Sequence, residues 1–397
     1  MVTEEQGLLG GDRLPYLASR LQGLGTSIFA EMSALAVATN SINLGQGFPD
    51  TDGPSEVSEA AIAAIRAGQN QYPPGRGVPA LLEAVARHQQ RFYGIALDPA
   101  REVLITAGAT EAIAAAILAL CEVGDEVVMF EPFYDSYAAC VAMAGAQRRV
   151  VQLRAPDWSF PEEALEAAIT PRTRLVLLNS PHNPTGKVFS GEELATIARL
   201  CVRHDLLAVT DEVYEHLIFD VEQLPLSRFP GMAERTVSIS SGAKTFSFTG
   251  WKVGWVTGPE ALVDAVRTAK QFLTYVSSAP FQPAIALGLD LPDEFFHGVG
   301  AMLKAKRDLL SDGLRSLGLT TFESAGTFFV TTDVASLGDE DAATFCANLP
   351  YRAGVVAIPS SVFYDDKSAG RTLVRWTFCK RDDVLEEALV RLKRLVG

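Results

Sequence analysis

The 397-residue sequence predicts an α/β protein: a large domain with a mostly parallel sheet flanked by helices, plus a smaller α+β domain. Three observations predict it. Between about residues 100 and 260, short β-rich runs alternate with helical segments, the pattern of strands joined by crossover helices. The polar and glycine-containing residues suited to holding a ligand fall at the ends of those runs, where open α/β sheets bind ligands. The chain also exceeds the roughly 250–300 residues at which a single core stops growing, and its composition changes near Pro280 to Leu289. We therefore expect residues 1–50 to form an N-terminal arm and part of the small domain, 51–285 the large domain, and 286–397 the rest of the small domain.

A hydrophobic content of 48% with 21% charged residues is ordinary for a globular enzyme. The net charge of −14 disfavours nucleic acid or an anionic membrane as partner. The opening MVTEEQGLLGGDRLP carries acids where a signal peptide needs a basic start and an apolar core. The longest apolar stretch, Ala112 to Cys121, falls short of the ~20 residues of a membrane span. Five scattered cysteines without a C-x-x-C pair read as reduced core thiols of a cytoplasmic protein.

Taken in order, a helix is expected near Ser27 to Thr39, followed by Asn43-Leu44-Gly45-Gln46-Gly47-Phe48-Pro49-Asp50. Its two glycines suit a turn or a close backbone approach. Ser55 to Ala67 has helical spacing, and Asn70 to Gly77 breaks it with two prolines and two glycines, a stiff loop carrying Tyr72 and Arg76. On chemistry alone Tyr72 is a packing residue. After a strand at Val103 to Ile105, Thr106-Ala107-Gly108-Ala109-Thr110 opens an Ala-rich helix. Small residues there leave amides and the Thr110 hydroxyl free for a phosphate, although neither G-x-G-x-x-G nor G-x-x-x-x-G-K-[ST] occurs in the chain.

A strand at Glu126 to Phe130 leads into Glu131-Pro132-Phe133-Tyr134-Asp135-Ser136-Tyr137. Tyr134, just past the strand end, is placed to stack on a planar ligand, with Phe133 directed to the core. The apolar strand Arg174 to Leu178 ends at Asn179-Ser180-Pro181-His182-Asn183-Pro184-Thr185-Gly186, where prolines fix the direction of the Asn183 amide. His182 reads either as a general base or as a local hydrogen-bonding residue. Strand Leu206 to Thr210 ends in Asp211-Glu212-Val213-Tyr214, and a carboxylate there is costly unless paired. A metal site drawn from His204, Asp205, Asp211, Glu212, Glu215 and His216 is disfavoured, because H-E-x-x-H is absent and a strand–helix junction separates Asp211 from His216.

The stretch Val237 to Pro259 carries only two charged side chains, Lys244 and Lys252. Small and hydroxylated residues surround the first, and Trp251 and Trp255 flank the second. A lysine among groups that solvate a cation poorly is more readily a neutral nucleophile. A helix is expected from Ala261 to Phe272, and strands at Ala325 to Val330, Val355 to Pro359 and Leu373 to Phe378. In the last, Arg375 alternates with apolar residues, so one strand face presents a guanidinium, either as a carboxylate clamp or as half of a salt bridge.

Ser240-Ser241-Gly242-Ala243-Lys244 followed by Gly250-Trp251-Lys252-Val253-Gly254-Trp255 resembles the cofactor-lysine segment of class I/II aminotransferases, fold type I enzymes dependent on pyridoxal 5'-phosphate. The resemblance runs from N-L-G-Q-G-F-P-D to L-V-R-W-T-F, with the motifs in family order. It implies that Lys244 holds the cofactor covalently and moves the proton, with Asp211 at the ring nitrogen and Tyr214 and Asn183 at the phenolic oxygen. It further implies that Ala109, Thr110, Ser241 and Lys252 bind the phosphate, that Tyr134 stacks on the ring, and that Tyr72 reaches the phosphate of a partner subunit in a homodimer. Gly47 and Arg375 are implied at the substrate α-carboxylate and Asn183 at the substrate, while the residues themselves offer Phe29 as an aromatic wall and Arg76 as the cation for a distal acid group.

The activity implied is ping-pong transfer of an amino group between an amino acid and a 2-oxo acid. Among such enzymes the sequence is most similar to actinobacterial N-succinyldiaminopimelate aminotransferases, which act with 2-oxoglutarate in lysine biosynthesis. Kynurenine, glutamine and methionine aminotransferases, and cysteine-conjugate β-lyases using the same site, are the alternatives. Side-chain recognition is expected in the loops Thr26 to Phe29 and Gln271 to Ser278.

Overall fold

The computed structural model describes residues 16–24, 27–339 and 341–396; Thr26 lies outside the described residues. Seven strands form its main sheet: β2 (Val103–Thr106), β3 (Glu126–Glu131), β4 (Gln147–Gln152), β5 (Thr173–Asn179), β6 (Leu207–Asp211), β7 (Thr236–Ser241) and β8 (Gly254–Thr257). They follow β1 (Ile42–Asn43), which pairs elsewhere. The spatial order is β2-β8-β7-β6-β5-β3-β4. β8 runs antiparallel to both neighbours, β2 and β7, and every other pair is parallel.

The inner strands are buried because both faces are covered, whereas the edge strand β4 (Gln147-Arg148-Arg149-Val150-Val151-Gln152) is exposed over its first half. The side chains of the inner strands alternate between two cores. Val127, Met129, Leu175, Leu177 and Val209 join the helices Gly108–Leu120 and Glu260–Lys270 on one face. Val128, Phe130, Val176, Leu178 and Ala208 join the helix Gly191–Arg203 on the other. That last helix starts with a capping box, in which Ser190 and Glu193 each satisfy the other's backbone N–H.

The C-terminal part carries an antiparallel sheet, β12-β13-β10-β9, from β9 (Thr320–Thr321), β10 (Phe329–Asp333), β12 (Ile358–Pro359) and β13 (Leu373–Thr377). β11 (Val355–Val356) pairs in parallel with β1. One core joins Met32, Ala36 and Leu44 near the N-terminus to residues from Leu303 to Leu392.

Two expected strands differ in extent. Ala325 to Thr327 is not strand: Gly326 makes an isolated bridge to Ile218, and Thr327 turns left-handed (φ 68°), so β10 begins only at Phe329. Val355 to Pro359 divides in two at Ala357, because its first half pairs with β1 and its second with β13. Among the described residues no helix is long and apolar enough to cross a membrane.

Candidate active site

A cavity of about 420 Å³ opens at the carboxyl ends of β5, β6 and β7. Each strand delivers one polar group as it stops: Asn179 from β5, Asp211 from β6 and Ser241 from β7. The turns beyond add Asn183, Tyr214 and Lys244, and the start of the Gly108–Leu120 helix adds Gly108, Ala109 and Thr110. Phe29 and Gly47 from the N-terminal segment and Phe329 and Arg375 from the C-terminal part complete the lining.

Asp211 is buried. Its Oδ2 accepts a hydrogen bond from the Tyr137 hydroxyl (2.6 Å), and its Oδ1 accepts one from the Val213 amide (3.3 Å). Burial pushes its carboxyl above the usual range, while the Tyr137 bond pulls it back down. Among the described residues no cation forms an ion pair with it, so a carboxylate lining a cavity waits for a positive partner. Lys244 stands within 5.7 Å of the Tyr214 ring centre and 5.5 Å of the Phe328 ring centre. Burial lowers its amine from the ordinary lysine value, which raises the fraction free to act as a nucleophile.

The other end of the cavity is built for an anion. Gly108 starts its helix at φ 76°, and a side chain there would meet Lys252 Nζ at 3.3 Å, so that ammonium lies over the helix N-terminus. Free amides, the helix dipole and a cation then converge on one point. β8 approaches so closely that a Cβ at Gly254 would sit 2.7 Å from the Gly108 carbonyl carbon. Two glycines therefore fix the approach.

Arg375 is buried in β13. It donates from Nη1 to Asn183 Oδ1 (2.9 Å) and from Nη2 to the Gly45 carbonyl (2.7 Å), while its Nε has no partner. Its guanidinium carbon lies 4.0 Å from the Phe329 ring centre, 5.0 Å from Phe29 and 5.1 Å from Phe363. Burial lowers it to about 10, so it remains a cation at neutral pH. An unpaired buried N–H on a cation is costly unless a ligand completes it, and a carboxylate is the geometric match.

The anion cradle, the buried carboxylate and the desolvated lysine suit the phosphate, the ring nitrogen and the aldehyde of pyridoxal phosphate. Every site residue expected from the sequence lines this one cavity except Tyr72 and Arg76. Tyr72 is 82% exposed and packs edge-on against Tyr275, 5.6 Å between ring centres. Arg76 lies outside this cavity. Its guanidinium is committed to Asp264 and to the Arg101 carbonyl (3.0 Å), which hold it against the sheet edge and away from the cavity. His182 is also absent from the cavity: it is buried, its Nδ1 pairs with Thr185 Oγ1 (2.7 Å), and burial drives it down to about 3. It acts locally.

Sequence reasoning missed Tyr137 and Phe329 as lining residues, whereas Ser27 and Gln46 line the cavity from loops that the sequence marks for substrate. Nothing in the sequence links Tyr137 to Asp211, 74 positions away. It also missed His88. The residues weighed as a metal cluster do not assemble as one set: Asp211 faces the cavity, while Glu215 and His216 gather with His88, their ligand atoms within 4.8 Å of one another and the two imidazoles meeting Nε2 to Nε2 at 2.7 Å. Tetrahedral zinc at about 2.0–2.1 Å would hold two nitrogens about 3.3 Å apart. The observed spacing suits one shared proton.

Glu215 accepts from Ser240 and Tyr93, and burial raises it to about 7. Its stabilising effect is full below the ~4.3 of a free glutamate. It falls by about 1.4 kcal/mol per pH unit as the unfolded chain ionises first, and levels off above the folded value. Glu212, raised by burial to about 8, adds a similar slope. Glu215→Gln should therefore flatten the decline in unfolding free energy between pH 5 and 7 by about 1.4 kcal/mol per unit. Denaturant titrations across that range check this; an unchanged slope contradicts it.

Residues 39–392 match the model of the family "Aminotransferase class I and II". A probable N-succinyldiaminopimelate aminotransferase of Mycobacterium tuberculosis is 53% identical over 390 residues, covering 95% of this chain and 98% of that protein. The methionine aminotransferase of Escherichia coli is 39% identical over 378 residues (95% and 98%), and human kynurenine–oxoglutarate transaminase 3 is 38% identical over 403 residues (94% and 88%). The solved structure of the M. tuberculosis N-succinyldiaminopimelate aminotransferase superposes with a TM-score of 0.94 at 53% identity, covering 96% of this chain and 100% of that one. With the carboxylate, lysine and anion cradle already converging on one cavity, this chain is a member of the class I and II aminotransferases, fold type I enzymes that depend on pyridoxal phosphate.

Proposed function

We propose that this aminotransferase moves the amino group of N-succinyl-diaminopimelate to 2-oxoglutarate in two half-reactions on one site. The observation that carries the substrate assignment is the 53% identity, over nearly the whole of both chains, to a protein named for that reaction. When bound, pyridoxal phosphate supplies the electron-withdrawing ring that acidifies the donor's Cα–H.

The chain's own residues do the rest. Lys252, Ser241 and the Gly108–Thr110 amides would hold the phosphate, and Tyr134 would cover the ring. Asp211 would keep the ring nitrogen positive, and Asn183 and Tyr214 would meet the phenolic oxygen. Asn183 accepts from Arg375 through its carbonyl oxygen, which leaves its NH₂ free to donate. Arg375 takes the α-carboxylate through the unpaired Nε, with Gly47 beside it. Lys244, desolvated and freed when a donor amine takes its place, would accept the Cα proton and deliver it to the cofactor side rather than back to Cα.

The cavity's three cations, Lys244, Lys252 and Arg375, are all committed in this reading. A distal acid group must then be met by Ser27 and Gln46 or by a second subunit. We read the enzyme as a homodimer, supported by exposed Tyr72, Phe272 and Tyr275 around the loop expected at the partner's site. Five buried, unpaired cysteines support a reduced, cytoplasmic setting. The division at residues 50 and 285 remains our domain assignment, supported by the core that unites Leu44 with Leu303 to Leu392.

The rings of Phe29, Tyr134 and Phe329 at the cavity favour the second reading, an enzyme for kynurenine or methionine. A donor panel with 2-oxoglutarate separates the two. N-succinyl-diaminopimelate is expected to exceed both in kcat/KM by at least about tenfold, or 1.4 kcal/mol. A higher value for kynurenine or methionine would move the assignment. Release of ammonia and pyruvate from a cysteine conjugate without an oxo acid would indicate the lyase.

A further inference from the structure

We propose that Tyr137 is the positioning residue that keeps the Asp211 carboxylate ionised and aimed at the cofactor's ring nitrogen. The inference rests on the reading of Asp211 given above. Tyr137 stands on the Asp135–Met143 helix, one turn from Tyr134, and its buried hydroxyl donates to Asp211 Oδ2 at 2.6 Å. The only other hydrogen bond to this carboxylate among the described residues is the longer one from the Val213 amide, at 3.3 Å. A buried carboxylate with so few donors would take a proton readily. A short bond from a neutral hydroxyl solvates the anion without adding charge, so the pairing with a pyridinium is kept.

The same side chain braces the stacking ring. Tyr134 and Tyr137 meet edge to face with centres 5.7 Å apart, so one turn of helix sets both the ring's cover and its counter-charge. The other groups whose charge bears on Asp211 are Lys244, Glu212, Tyr134 and Tyr214. The two tyrosines and Glu212 are held neutral by burial, which leaves Lys244 as the one charge that changes in turnover.

The test is Tyr137→Phe in the holoenzyme, read by the pH titration of the bound cofactor's visible absorbance. Without the phenol the bridging proton moves from the ring nitrogen toward Asp211, the ring loses positive charge, and the lysine–cofactor bond stays protonated to higher pH. The midpoint should rise by about one unit, and kcat should fall about tenfold or more with KM within about twofold, as expected for one lost hydrogen bond to a charged group. Replacing Tyr137 with a difluorotyrosine, a stronger donor of nearly the same shape, should move the midpoint down; it also decides the matter if the Phe variant folds poorly. An unchanged midpoint in both proteins, or a parallel loss of KM and kcat with no spectral shift, would overturn the proposal. Lys244→Ala without any spectral change would instead refute the cofactor site itself.

Discussion

Lys244→Ala is expected to abolish transamination, with a loss of at least about 10⁴-fold, because two roles disappear together. The cavity offers no second amine in the same place. Lys252 lies over the N-terminus of the Gly108–Leu120 helix, committed to the anion cradle. The variant should still bind pyridoxal phosphate noncovalently through that cradle, but the absorbance of a lysine-bound cofactor should be missing. Borohydride treatment of the wild type followed by peptide mapping should mark Lys244. Label on Lys252 would overturn the assignment of both residues.

Arg375→Ala should weaken every amino donor by ~2–5 kcal/mol in kcat/KM, the range for removing one partner of a buried charge pair. The loss should be general, since the α-carboxylate is common to all donors. Arg375→Lys should recover little of it. A lysine has one point of charge, whereas the guanidinium divides three nitrogens among the Asn183 oxygen, the Gly45 carbonyl and the ligand. An unchanged KM for several donors would show that the carboxylate binds elsewhere.

What could be read from the sequence was whatever is local. The stretch around Lys244, the prolines fixing Asn183, and the strand that ends at Asp211 each carry their signal within a few residues. So does the alternation of apolar strands with helices, which gives the main sheet. Contacts between distant segments leave no such trace. Arg76 and Asp264 are 188 positions apart, so a loop arginine suited to a substrate proved to be held against the sheet edge. His88 meets His216 across 128 positions, and no periodicity announces that pair. Strand limits failed where a backbone turn decides them, as at Thr327, because threonine carries no preference for the left-handed conformation it adopts there.

The placement of β8 between β2 and β7 has a consequence for a chain still being made. The helix that begins at Gly108 can form early, but the lysine that sits over its first turn arrives some 140 residues later, on the strand approach that only two glycines permit. Until β8 has threaded between its neighbours, the nascent enzyme presents amides without a cation, and Arg375 is later still. Contacts so far apart in sequence form slowly. Completion of the anion cradle is therefore a late event in biogenesis, and a ribosome-bound chain halted before Lys252 lacks the cation that the finished cradle contains.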